Sequence, residues 1–119
     1  MNLGDPVAES AIAVTSVTVE NDVTVLNYEG DVGRYGRVFA THRLRASDEV
    51  REAYEFEGSA RTLLEDGTAV SVSLRGIGRR SAGTIKLFSL DNASNGDQRL
   101  AVIEVDMMKK TASVKVYSV

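Results

Sequence analysis

The chain has 119 residues, 43% of them hydrophobic and 26% charged, with a net charge of −3, one histidine, one proline and no cysteine. That length suits one domain able to bury its own core; the acidic balance argues against a nucleic-acid partner, and the missing cysteines exclude disulfides, thiolate catalysis and cysteine-held metals. No apolar run approaches the ~18 residues of a membrane-spanning helix, and the polar opening MNLGDPVAES lacks the pattern of a secretory signal, so a cytoplasmic protein with no membrane partner is expected.

Helical periodicity is nearly absent, while period-two alternation with β-branched residues runs throughout and predicts eight strands. Ala11–Val19 comes first, with a change of phase near Thr15 and Ser16 that a β-bulge reconciles. A tight Asn21-Asp22 turn leads into Val23–Glu29. The glycine-rich stretch YEGDVGRYG then enters Tyr35–Arg45. There Val38, Ala40, His42 and Leu44 share one face, opposite Arg37, Thr41, Arg43 and Arg45 with Tyr35 and Phe39. The segment ASDEVRE has room for one helical turn capped by Ser47.

In Ala53–Leu64, the set Tyr54, Phe56, Gly58, Ala60, Thr62 and Leu64 alternates with Glu55, Glu57, Ser59 and Arg61. An Asp66-Gly67 turn joins it to Thr68–Gly76, where Val70, Val72 and Leu74 oppose Ser71, Ser73 and Arg75. SLRGIGRRSAG reads as a basic turn before Thr84–Leu90, and DNASNGD as a longer turn before Gln98–Asp106. That strand is apolar at Ala101, Ile103 and Val105 and mixed at Leu100, Val102, Glu104 and Asp106, as suits a strand covered by another subunit. Thr111–Val119 follows, with Ala112, Val114 and Val116 on one face and Ser113, Lys115 and Tyr117 on the other.

Eight consecutive antiparallel strands in an open sheet would leave two sticky edges, and closure removes them. The expectation is an all-β, single-domain, eight-stranded up-and-down barrel over the whole chain, with a sandwich as the alternative. A barrel of this strand number is either filled by its own side chains or holds one small ligand.

His42, aimed inward near Tyr54, suits a general acid or base, because its pKa lies near neutrality; a core histidine bonded to a neighbour is the other reading. Glu104 joins these two as a catalytic candidate, as half of a carboxylate pair with Asp106, against the reading of a solvated sheet face. Val38, Ala40, Phe56, Thr62 and Val72 are candidate ligand-binding residues, the inward set with small neighbours that a pocket needs. Arg75 and Tyr117 complete it as polar contacts. A lone histidine without cysteine leaves too few ligands for a metal, and no phosphate loop or dinucleotide fingerprint is present, so neither metal nor cofactor is expected.

YEGDVGRYGRV resembles the Tyr-Gly entry to a barrel strand in the allene oxide cyclase-like group of calycin-like barrels. ARTLLEDGTAVSVSLRGIGRR and the terminal SVKVYSV resemble the central hairpin and closing strand of a related bacterial barrel family. The resemblance implies a calycin-like barrel that works as a homo-oligomer and binds or cyclises a small apolar molecule, of polyketide or lipid origin, without a cofactor. It transfers no catalytic residue. Two functions are therefore expected to compete. One is a binding barrel acting as cyclase or isomerase. The other is a non-catalytic carrier or assembly module that uses Tyr35, Phe39 and the strand around Ala101–Val105 as its interface.

Overall fold

In the computed structural model, which describes residues 3–119, eight antiparallel strands close into one up-and-down barrel, each pairing with its neighbour in sequence. The first two residues of the polar opening lie outside the described residues. The strands are β1 (Ala8–Glu20), β2 (Val23–Asp31), β3 (Arg37–Ala46), β4 (Ala53–Leu63), β5 (Ala69–Ser81), β6 (Thr84–Ala93), β7 (Gln98–Asp106) and β8 (Thr111–Ser118). Closure comes from β1 against β8, in register from Ala8 with Val116 to Ala13 with Thr111. The phase change read in the first strand is a register shift between Val14 and Ser16 in the β1–β2 ladder. It lets Val14 and Val17 both contribute to the interior.

Three local expectations are corrected. SLRGIGRRSAG is no basic turn: β5 continues to Ser81 and pairs with β6 down to Thr84, leaving only Ala82 and Gly83 to reverse the chain. At the other end, β6 runs on to Ala93, so the start of DNASNGD is strand. The segment after β3 forms no helix. Asp48, not Ser47, organises it, its Oδ1 accepting from the backbone N–H groups of Glu52 and Ala53 at 3.0 Å each.

Residue size along the inward faces divides the interior. Toward the end where β1–β2, β3–β4, β5–β6 and β7–β8 turn, the inward residues are large: Leu44 on β3, Tyr54 and Phe56 on β4, Ile85 and Leu87 on β6. These pack with Leu26 and Val105 into a closed core. Toward the opposite end the same strands carry Val38 and Ala40, then Ala60 and Thr62, then Ser89, Asp91 and Ala93. One end is thus plugged by side chains and the other is left open.

Glycines on β4 and β5 make the plug fit. A Cβ on Gly58 would run into the Thr41 carbonyl oxygen, and one on Gly76 into the Phe88 carbonyl oxygen and the Phe56 ring. Bare backbone at these inward positions lets the strands coil tightly around the large residues beside them. Gly58→Ala and Gly76→Ala are each expected to cost about 2–3 kcal/mol, as overpacking of a tight core does. Urea denaturation checks this; midpoints equal to that of the parent chain would contradict it.

Candidate ligand-binding cavity

The open end contains a cavity of about 470 Å3. Its walls are mainly apolar, built from small or β-branched residues such as Ala40, Ala60, Val72 and Ile103. Its mouth lies among the β2–β3, β4–β5 and β6–β7 connections, which contribute Tyr35, Leu64 and Asn95.

His42 sits where the cavity meets the plug. It is 2% exposed, and its Nδ1 lies 3.0 Å from the Tyr28 hydroxyl. The Tyr28 ring meets the imidazole edge-on with centroids 5.0 Å apart, and Phe56 supports it from the plug side at 4.6 Å. Burial pushes the His42 pKa down to about 4 and pushes the Tyr28 hydroxyl well above the usual phenol range. The pair is therefore neutral at ordinary pH. Nδ1 is engaged by Tyr28, whereas Nε2 has no partner among the described residues and is not sealed among atoms, so it faces the cavity. With Tyr28 donating to Nδ1, Nε2–H becomes a donor toward a ligand.

A single row of paired residues connects the floor to the mouth: His42, Gly58, Leu74, Asp91 and Arg99 on five successive strands. Because barrel strands tilt, such a row climbs obliquely around the wall. Asp91 lies part-way along it and lines the cavity. Its Oδ1 accepts from the fully buried Ser89 hydroxyl at 2.6 Å. Burial pushes the Asp91 carboxyl up to about 6, with the Ser89 hydrogen bond pulling the other way.

Arg99 ends the row at the rim. Its Nε donates to the Tyr35 hydroxyl at 2.9 Å, one Nη donates to the Gln98 carbonyl at 2.7 Å, and the other approaches Asp97 at 3.9 Å. Tyr35 also accepts from Arg34 at 3.3 Å. It stands on a short 3-10 turn, Gly33–Tyr35, rather than in the strand expected to include it. Gly33 and Gly36 bracket that turn with φ of 50° and 76°, a region that favours glycine. The aromatic and glycine-rich stretch before β3 therefore forms part of the mouth.

Of the residues singled out from sequence, Val38, Ala40, His42, Thr62 and Val72 line the cavity. Phe56 lies beneath His42 in the plug and outside the lining. Tyr54 lies in the plug and outside the lining, with its hydroxyl donating to the Arg51 carbonyl at 2.9 Å. Glu104 also lies off the cavity. Alternation on β7 buries Ile103 and Val105, which turns Glu104 outward to meet Lys86 at 3.8 Å. Arg75 and Tyr117 also point away from the cavity, since Leu74 and Val116 take the inward positions beside them. Tyr28, Ser89, Asp91 and Arg99 were not singled out. For Ser89 and Asp91 the signal was present, as continuation of the Ile85–Leu87 phase by steps of two.

Among the described residues, no three His, Cys, Asp or Glu side chains gather so as to hold a metal ion. Neither a protein-family model, nor a curated protein, nor a solved structure matches the chain.

His42 and Asp91 act on stability with opposite pH dependence. The native state lowers the His42 pKa from 6.5 to about 4, so the unfolded chain takes that proton first. Stability from this group is intact above pH 6.5 and falls by about 3 kcal/mol on acidification toward pH 4. For Asp91 the native pKa, about 6 against 3.8, is the higher one, so its ionisation destabilises the fold as pH rises through 6. Asp91→Asn is expected to stabilise the protein by about 1–2 kcal/mol at pH 7.5, with the gain gone near pH 4. Denaturation at the two pH values measures it, and a less stable variant at pH 7.5 contradicts it. In the same way, NMR titration should find the His42 ring neutral down to about pH 5.

Proposed function

We propose that this barrel binds one small, largely apolar molecule in its open end. The observation that carries the reading is the unfilled space itself, a cavity of about 470 Å3 reaching His42 Nε2 inside an otherwise well-packed barrel. Its size falls within the usual range for small-molecule sites, about 300–1,000 Å3. Its composition also fits: an apolar wall with a few polar groups at fixed heights, His42 at the floor, Asp91 in the wall and Arg99 at the rim. Filling it with ligand removes apolar surface from water and restores the contacts that an empty interior forgoes.

The cyclase or isomerase reading, taken from the resemblance to allene oxide cyclase-like barrels, draws on the same cavity. Narrow walls restrict the shapes a flexible substrate can take, lowering the entropic part of a ring-closing barrier. Asp91, its pKa raised to about 6, suits proton transfer near neutrality. His42 contributes a hydrogen bond instead, since an imidazole with a pKa of about 4 is a weak base.

The outside of the barrel supports self-association. Ile77, Phe88 and Leu90 are 65%, 38% and 62% exposed. They adjoin the half-buried Leu100, Val102 and Tyr117 through the ladders of β5 to β8. An apolar stripe across four strands is the kind of surface that a second copy covers. The expected interface is thus β5–β8, not Tyr35, which belongs to the mouth. The remaining outer face carries Glu55, Glu57 and Arg61, costly in lipid, and this favours a barrel working in water, with the cytoplasm as its setting.

Two experiments test these readings. Ala40→Leu with Ala60→Leu should fill the cavity, abolishing calorimetric binding of n-octanol while leaving the melting temperature unchanged or higher. A parent protein that binds no n-octanol, or a filled variant that binds it equally well, contradicts the binding reading. For the stripe, light scattering should show an oligomer that Ile77→Lys with Leu90→Lys converts to monomer; a monomeric parent protein contradicts it.

A further inference from the structure

Asp91 is the one ionisable side chain of the cavity wall set between the floor and the rim, and its surroundings leave its charge without compensation. One carboxylate oxygen takes the Ser89 hydroxyl. The other has no partner among the described residues and, not being sealed among atoms, opens to the cavity. Its paired neighbour on β5, Leu74, is apolar. Arg99, directly across the β6–β7 ladder, is the obvious counter-ion. Yet its guanidinium is turned to Tyr35, Gln98 and Asp97 and makes no ion pair with Asp91. Elsewhere the chain does pair its carboxylates, as Arg37 does with Glu29 and Asp31 on the outer wall. A half-buried carboxylate without a cation is unfavourable, and it invites one.

Resting on the binding reading above, we propose that the ligand is an apolar amine whose ammonium group ion-pairs with Asp91 while its hydrocarbon body lies against Ala40, Ala60 and Val72. The free oxygen of Asp91 accepts an N–H of the ammonium, and Ser89 holds the carboxylate in place for it. Selectivity follows from charge. An anionic amphiphile of the same length would set a second negative charge beside Asp91, or would have to draw Arg99 away from its three partners. A neutral alcohol finds an acceptor at Asp91 but leaves its charge unmatched. The raised pKa of Asp91, about 6, reports the same lack of compensation.

Isothermal titration of the full chain at pH 7.5 with n-octylamine, n-octanol and n-octanoate tests this. The amine is expected to bind at least about tenfold more tightly than the alcohol, with the carboxylate weakest. In Asp91→Asn, which is expected to fold more stably than its parent, the preference for the amine over n-octanol should disappear. Tighter binding of n-octanoate, or an amine preference that survives Asp91→Asn, overturns the proposal. Equal binding of amine and alcohol by the parent protein overturns it too, while leaving the cavity reading standing. Binding of none of the three removes both.

Discussion

Pairing of Ala8–Ala13 with Thr111–Val116 closes the sheet on itself, and nearly everything else in this molecule follows from that closure. Once eight strands form a ring, strand number and tilt set the interior width, and the chain controls only what it points inward. Large residues at one end, with glycines at 58 and 76 making room for them, give a solid plug. Alanine, valine and serine at the other end cannot span the same width. A cavity is then the geometric consequence of small side chains in a frame that does not contract.

The boundary between plug and cavity is where polar chemistry enters. His42 and Tyr28 satisfy each other there as neutral partners, which makes a buried imidazole tolerable, while burial keeps it from acting as a cation. Asp91 is different in kind. It lies in the wall with a single hydroxyl for company and no cation, an arrangement that weakens the folded state. Local destabilisation held in place by an otherwise consistent fold is characteristic of functional sites. The oblique residue row adds direction: a molecule entering past Tyr35 and Arg99 meets Asp91 before its far end reaches His42.

Much of the architecture is legible in the sequence because alternation carries both strand identity and facing. Val38, Ala40, His42 and Leu44 point inward as their phase requires, and the slip at Thr15 and Ser16 is a real change of register. What is not legible has specific causes. Polar residues at the ends of strands look like turn chemistry, so Asp91-Asn92 and the arginines after Gly78 read as loops although ladder pairing continues through them. Tyr54 fits the alternation, but period two says nothing about height along the barrel, and height decides whether an inward residue joins plug or cavity. Glu104 was ambiguous because both faces of its strand are largely apolar, one turned to the core and the other to the outer stripe. Tyr35 reads as an outward strand residue, but a short 3-10 turn set by two glycines brings it to the mouth instead.

That the open end holds accessible, mainly apolar space is tested most directly by xenon-pressurised crystals. Xenon occupies apolar cavities that ordered water leaves empty. The account expects a xenon atom among Ala40, Ala60, Val72 and Ile103, above the His42 ring. Side chains collapsed across that space, with no xenon bound, would contradict it.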